Sequence, residues 1–169
     1  MKIILLVTFC SFLSGISCAQ VKTRNSNIAR SLFQGLILEA KNQKEDFTVV
    51  EITSSWDDAF YCLKYDDAMM TIVHVFYSKS NSNGTFKVRK VTMKKEILSA
   101  MESSKRIGLL IELISKDKKI EAIDGASFKY SVFQKGIKIK TVEADDRHSD
   151  ISIKKMIEVR SILKNLMKK

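Results

Sequence analysis

"MMTIVHVFYSKSNSNGTFKVRKVTM", residues 69–93, is two runs of β-forming residues, Met69–Ser78 and Thr85–Met93, on either side of a turn-rich loop. Val, Ile, Thr, Phe and Tyr fill the runs, and "KSNSNG" supplies the Asn, Ser and Gly that let a chain reverse, so the stretch predicts an antiparallel hairpin. In the second run the apolar residues go Phe86, Val88 and then Val91, Met93, and the period of two slips between Arg89 and Lys90. A β-bulge there would keep both pairs facing the core and is expected.

One hairpin does not make a stable sheet, and the flanks supply more strands. Upstream, "FTVVEIT" from Phe47 and "AFYCLKY" from Ala59 read as strands, preceded by "IARSLFQGLILEAK", where Ile28, Leu32, Leu36 and Ala29, Phe33, Ile37, Ala40 recur at helical spacing behind the N-cap Asn27. Downstream, "KKEILSAMESSK" offers a short helix through Ile97, Leu98 and Met101. Past Gly108, "LLIELIS" and "KIEAID" read as strands joined by "KDKK", and "FKYSVFQ" and "IKIKTV" as strands joined by "KG". Residues 107–115 also satisfy helical spacing through Leu110, Leu113 and Ile114, and Gly108 tips the reading to a strand. Ile137, Ile139 and Thr141 alternate with Lys138 and Lys140 as in a half-exposed strand. A last helix from Ile151 carries Ile153, Met156, Ile157, Ile162, Leu163 and Leu166 on its apolar side.

The expected class is therefore α+β, in the order α-ββββ-α-ββββ-α, an antiparallel sheet with helices laid on one face. Two tandem α-β4 blocks share an element order with cystatin-like modules, an analogy of order alone, since no residue-level repeat supports it. The chain has no proline and no marked linker, so residues 20–169 are expected to form one compact domain.

Residues 1–19 read differently. Lys2, the apolar run "IILLVTFCSFL" and the small residues Ser17 and Ala19 make a secretory signal peptide cut before Gln20. The alternative is lipid anchoring at Cys18, which Gly15 disfavours. A secreted or periplasmic location follows, and no later apolar run is long enough to cross a membrane. Of the three cysteines only Cys62 survives such a cut, so no internal disulfide is expected, and Cys62 reads as a buried, inert thiol.

Loss of Lys2 lowers the net charge from +10 to +9, and the excess lies after Met70. Arginine, the residue suited to bidentate phosphate recognition, is scarce, so an acidic protein or an anionic envelope surface is the expected partner and nucleic acid is not. Lys154, Lys155 and Lys164 of the last helix are candidate binding residues. So are Trp56, the sole tryptophan, and Asp57 and Asp58 in "SSWDDAF", a set that can stack and hydrogen-bond a ligand or anchor a partner.

"EADDRHSD" is the one polar cluster. Asp145, Asp146, His148 and Asp150 offer oxygen and imidazole ligands for a divalent metal, but Arg147 interrupts them and a calcium loop's glycine is missing. His74 sits in a strand apolar on both faces and reads as a core histidine. No phosphate loop, dinucleotide fingerprint, zinc pair or serine elbow occurs, and no cofactor is implied. Two functions stand: an exported, non-enzymatic binding or accessory protein, monomeric, acting through its sheet surface or basic C-terminal helix; and, as the alternative, a small exported metal-dependent hydrolase using Asp145–Asp150.

Overall fold

A computed structural model describes residues 20–22, 26–55, 57–65, 69–78, 85–93, 97–117, 126–145 and 150–168. The class is α+β: three helices and one antiparallel sheet. In chain order the elements are β1 (Gln20–Lys22), α1 (Ser26–Asn42), β2 (Asp46–Thr53), β3 (Asp57–Tyr65), β4 (Met70–Ser78), β5 (Thr85–Met93), α2 (Ile97–Ser115), β6 (Ser127–Gln134), β7 (Ile137–Asp145) and α3 (Asp150–Leu166). Strands lie in the order β1-β5-β4-β3-β2-β6-β7, with the three-residue β1 at one edge and β7 at the other.

Helices cover both faces of this sheet rather than one. Ala29, Phe33 and Ala40 of α1 share a core with Phe47, Val49, Phe60, Cys62, Val75 and Tyr77. On the opposite face Ala100, Ile107, Ile111 and Ile114 of α2 and Val159 and Leu163 of α3 share a core with Val50, Ile52, Leu63, Ile72 and Phe128. Central strands therefore need apolar residues at odd and even positions alike, which is why "FTVVEIT" and "AFYCLKY" read as nearly unbroken apolar runs.

The same fact removes the expected bulge. β5 pairs with β4 in unbroken register from Met70↔Met93 to Ser78↔Thr85. Val88 faces the α1 side and Val91 the α2 side, each half-buried in its own core. The slip in period was a change of face, not of register.

Two further expectations are corrected. "LLIELIS" is no strand: α2 runs nineteen residues from Ile97 to Ser115 as one helix. Its core positions Ala100, Ser104, Ile107, Ile111 and Ile114 recur every three or four residues, and Gly108 is there for close approach, since a Cβ on it would lie 2.6 Å from the Tyr130 ring. "KIEAID" lies wholly outside the described residues, so the described order is a short strand, then α-β4-α-β2-α, with β6 and β7 the described strands after α2. The second correction concerns β7. Ile137 and Ile139 are 69% and 59% exposed and Thr141 is exposed, while the opposite parity holds the half-buried Val142 and the buried Ala144. Thr141 and Glu143 lie on the α1 side beyond that helix's core side chains, and there Thr141 bonds Ser131 at 3.1 Å and Lys129 pairs with Glu143 instead of packing.

Two turns meet at one end of the sheet. Lys44 takes the left-handed conformation just past α1, and the Glu45 amide donates to the Ala40 carbonyl, closing the helix. Lys135 and Gly136, both at positive φ, form the two-residue β6–β7 turn that "KG" announced. The Gly136 amide donates to the Glu45 carbonyl, and a Cβ on Gly136 would lie 2.5 Å from the Lys41 carbonyl oxygen, so the turn is seated against the end of α1.

Candidate functional site

Two places on the side of the sheet that carries α2 and α3 combine chemistry with access. One is the outer surface of the two helices. α3 buries Ser152, Met156, Val159, Leu163, Leu166 and Met167, a narrow stripe at three-and-four spacing. Ile153 and Ile157, expected on that apolar side, fall off the stripe and are 38% and 62% exposed. Lys154, Lys164 and Lys168 are exposed beside them, and Lys155 is half-buried towards the flank. On α2, Leu109 and Leu113 are likewise exposed, next to Lys105 and Arg106. Arg106 pairs with Glu158 across the seam, and Ser152 donates to the Asp117 carboxylate at the other end, so the two helices are antiparallel neighbours. Four exposed aliphatic residues and a majority of cations thus share one layer.

The second place is a cleft of about 570 Å3 between α2 and the β2, β3, β6 and β7 end of the sheet. Thr48, Tyr65, Tyr130 and Val132 form its floor and Met101, Ser104, Gly108 and Leu109 one wall. β7 supplies the other wall through an irregularity. Val132 pairs with Lys140 and Phe133 with Lys138, which leaves Ile139 as the extra residue of a bulge. The bulge brings Ile139 and Lys140 together onto the cleft. Lys140 reaches Glu112 of α2 at 3.0 Å, and Glu112 also holds Lys116 at 2.8 Å; these two hydrogen-bonded cations keep its carboxyl well down, at about 2.

Of the residues singled out in the sequence, Asp57 and Asp58 are both set into structure. Asp57 closes a turn with Ser54, accepting its hydroxyl at 2.9 Å and donating its own amide back at 3.0 Å, while Asp58 is buried in β3. Trp56, Asp146 and His148 lie outside the described residues. Asp145 is exposed at the end of β7 and Asp150 begins α3. Among the described residues no cluster of His, Cys, Asp and Glu could hold a metal ion. Cys62 is buried, and burial pushes its thiol up to about 12, out of reach of thiolate chemistry near neutrality. His74 stacks flat on Tyr61 at 4.3 Å, and burial with Arg89 opposite lowers it to about 4.

Sequence reasoning missed Leu109, Leu113 and Ile139. The first two sat in a segment read as a strand, and the bulge that re-aims the third leaves no local signal. One clue was present: an apolar side of α3 wider than its packing stripe needs. Comparison with family models, curated proteins and solved structures gives no match to the chain. Among the described residues no helix is long and apolar enough to cross a membrane.

Proposed function

We propose that the protein is exported and non-enzymatic, and that it binds an anionic envelope surface through the outward side of α3 and its neighbour α2. The observation that carries this reading is the pairing of exposed Ile153 and Ile157 with exposed Lys154, Lys164 and Lys168 on one helix. Their combination suits the boundary between charged headgroups and acyl chains, where apolar residues insert and each lysine adds attraction. Export rests on the signal-like residues 1–19, and a cut before Gln20 retains every described strand residue. Lipid attachment at Cys18 would serve the same location.

Purified protein should co-sediment with phosphatidylglycerol-containing vesicles, ignore phosphatidylcholine vesicles, and let go as salt rises. Replacing Lys154, Lys164 and Lys168 by Gln should weaken binding by about 1 kcal/mol per lysine while the variant melts normally. Equal binding to neutral vesicles, or full binding by that variant, would overturn the reading. Retention on a polyglutamate column without vesicle binding, lost in the same variant, would favour an acidic protein partner instead. The hydrolase alternative has no such observation behind it, since two of its four residues lie outside the described chain.

A further inference from the structure

The cleft beside α2 sets four hydroxyl-bearing residues, Thr48, Tyr65, Ser104 and Tyr130, among apolar ones. Thr48 and Ser104 are each only 3% exposed, and the Tyr65 hydroxyl donates to Thr48 Oγ1 at 3.5 Å and is hydrogen-bonded to Ser104. Around them Met101, Val132 and Leu109 present carbon, and the volume of about 570 Å3 lies in the range of small-molecule sites. The rim is charged. Lys105 is exposed and makes no ion pair among the described residues, and Lys140 spends one of its three donors on Glu112. The one acid in the lining, Asp46, already accepts the Lys135 amide at 2.7 Å.

We propose that this cleft binds a single-chain amphipathic carboxylate of the fatty-acid type, its tail along Met101, Val132, Leu109 and Ile139 and its carboxylate at Lys105 and Lys140. An apolar tail matches the walls, and a negative head matches a rim whose unengaged charge is positive. A neutral chain leaves that charge unused, and a ligand with a positive head meets two lysines. Lys105 and Leu109 border both this cleft and the outer surface of α2, so the two readings separate at Ile139 of β7 and at Lys154, Lys164 and Lys168 of α3.

Isothermal titration of the purified protein with monomeric dodecanoate, and with dodecan-1-ol as its neutral counterpart, tests it. Dodecanoate should bind one per chain and more tightly than the alcohol. The Lys105→Gln, Lys140→Gln variant should lose roughly ten-fold in affinity for the carboxylate and none for the alcohol. Ile139→Glu, a change at an exposed position that leaves the core intact, should weaken both. Absence of saturable binding, or binding that Ile139→Glu leaves unchanged, overturns the site. Equal affinity for acid and alcohol, unaffected by the lysine variant, overturns the anionic head. Vesicle binding by the Ile139→Glu protein should be normal, so failure here and failure of the surface reading fall on different variants.

Discussion

The two faces of the sheet are built from the same strands and closed by different means. Under α1 a single helix lies on aromatic residues, with Phe33 stacked on Phe60 at 5.1 Å and Phe47 on Phe133 at 4.3 Å. Under α2 and α3 the core is larger and mixed, with Ile107, Ile111, Ile114, Val159 and Leu163 against Val50, Ile52, Leu63, Phe128 and Tyr130. Two helices side by side leave a cleft where β7 bulges away and an outer surface wide enough to engage something. The face with more helix is thus also the one with more unspent apolar surface.

The largest effect should come from removing half of that second cover. Truncation before Asp150 discards Met156, Val159, Leu163, Leu166 and Met167, all buried, at about 1.5 to 3 kcal/mol each. The loss is comparable to the whole stability of an ordinary fold, about 5 to 15 kcal/mol. Because β2 and β3 contribute to both cores, the face under α1 should unfold with it, seen as loss of cooperative melting by circular dichroism. Survival of a cooperative transition would show that the two faces are independent.

A smaller effect is expected where α2 meets the sheet. Gly108→Val would place three carbons where a single Cβ already lies 2.6 Å from Tyr130, at a cost of about 3 kcal/mol from overpacking. The Tyr130 ring borders the cleft, so it has somewhere to move, and the variant should lose dodecanoate binding along with melting temperature. A variant with unchanged melting would mean that α2 does not sit so close.

Helix α1 and the central strands were legible because their signals are local: helical spacing of apolar residues, β-branched runs and a two-residue "KG" turn, although the expected N-cap Asn27 falls inside α1. The class and the sequence of β2–β5, β6–β7 and α3 follow from them. What was not legible depends on partners distant in the chain. Gly108 resembles a break until Tyr130 is placed under it, and the Val88–Val91 slip resembles a bulge until both faces are known to be covered. Thr48, Tyr65, Ser104 and Ile139 make one cleft from four separate elements, and nothing near any of them in sequence says so.

The last prediction separates the faces by pH. His74 of β4 points to the α2 and α3 side, stacked on Tyr61 and 6.2 Å from Phe76, with its Nε2 lacking a hydrogen-bond partner among the described residues. Burial is the main reason its pKa falls to about 4, and Arg89 across the pair with β5 adds to it. In the unfolded chain it titrates near 6.5. Between those values the unfolded state binds the proton and the folded state does not, so stability is fully present above about 6.5 and falls as pH drops towards 4. The loss should be on the order of 2 kcal/mol, allowing for the partial exposure of the ring. Carboxylates titrate in the same range, so the measurement is a difference: chemical denaturation of the protein and of His74→Phe, from pH 7 to pH 4. Phe keeps the stack on Tyr61 and has no proton to take up, so its stability should fall less steeply. Parallel slopes would show that the ring charges inside the folded protein without penalty, and that this half of the α2 and α3 face is wet where the α1 face is dry.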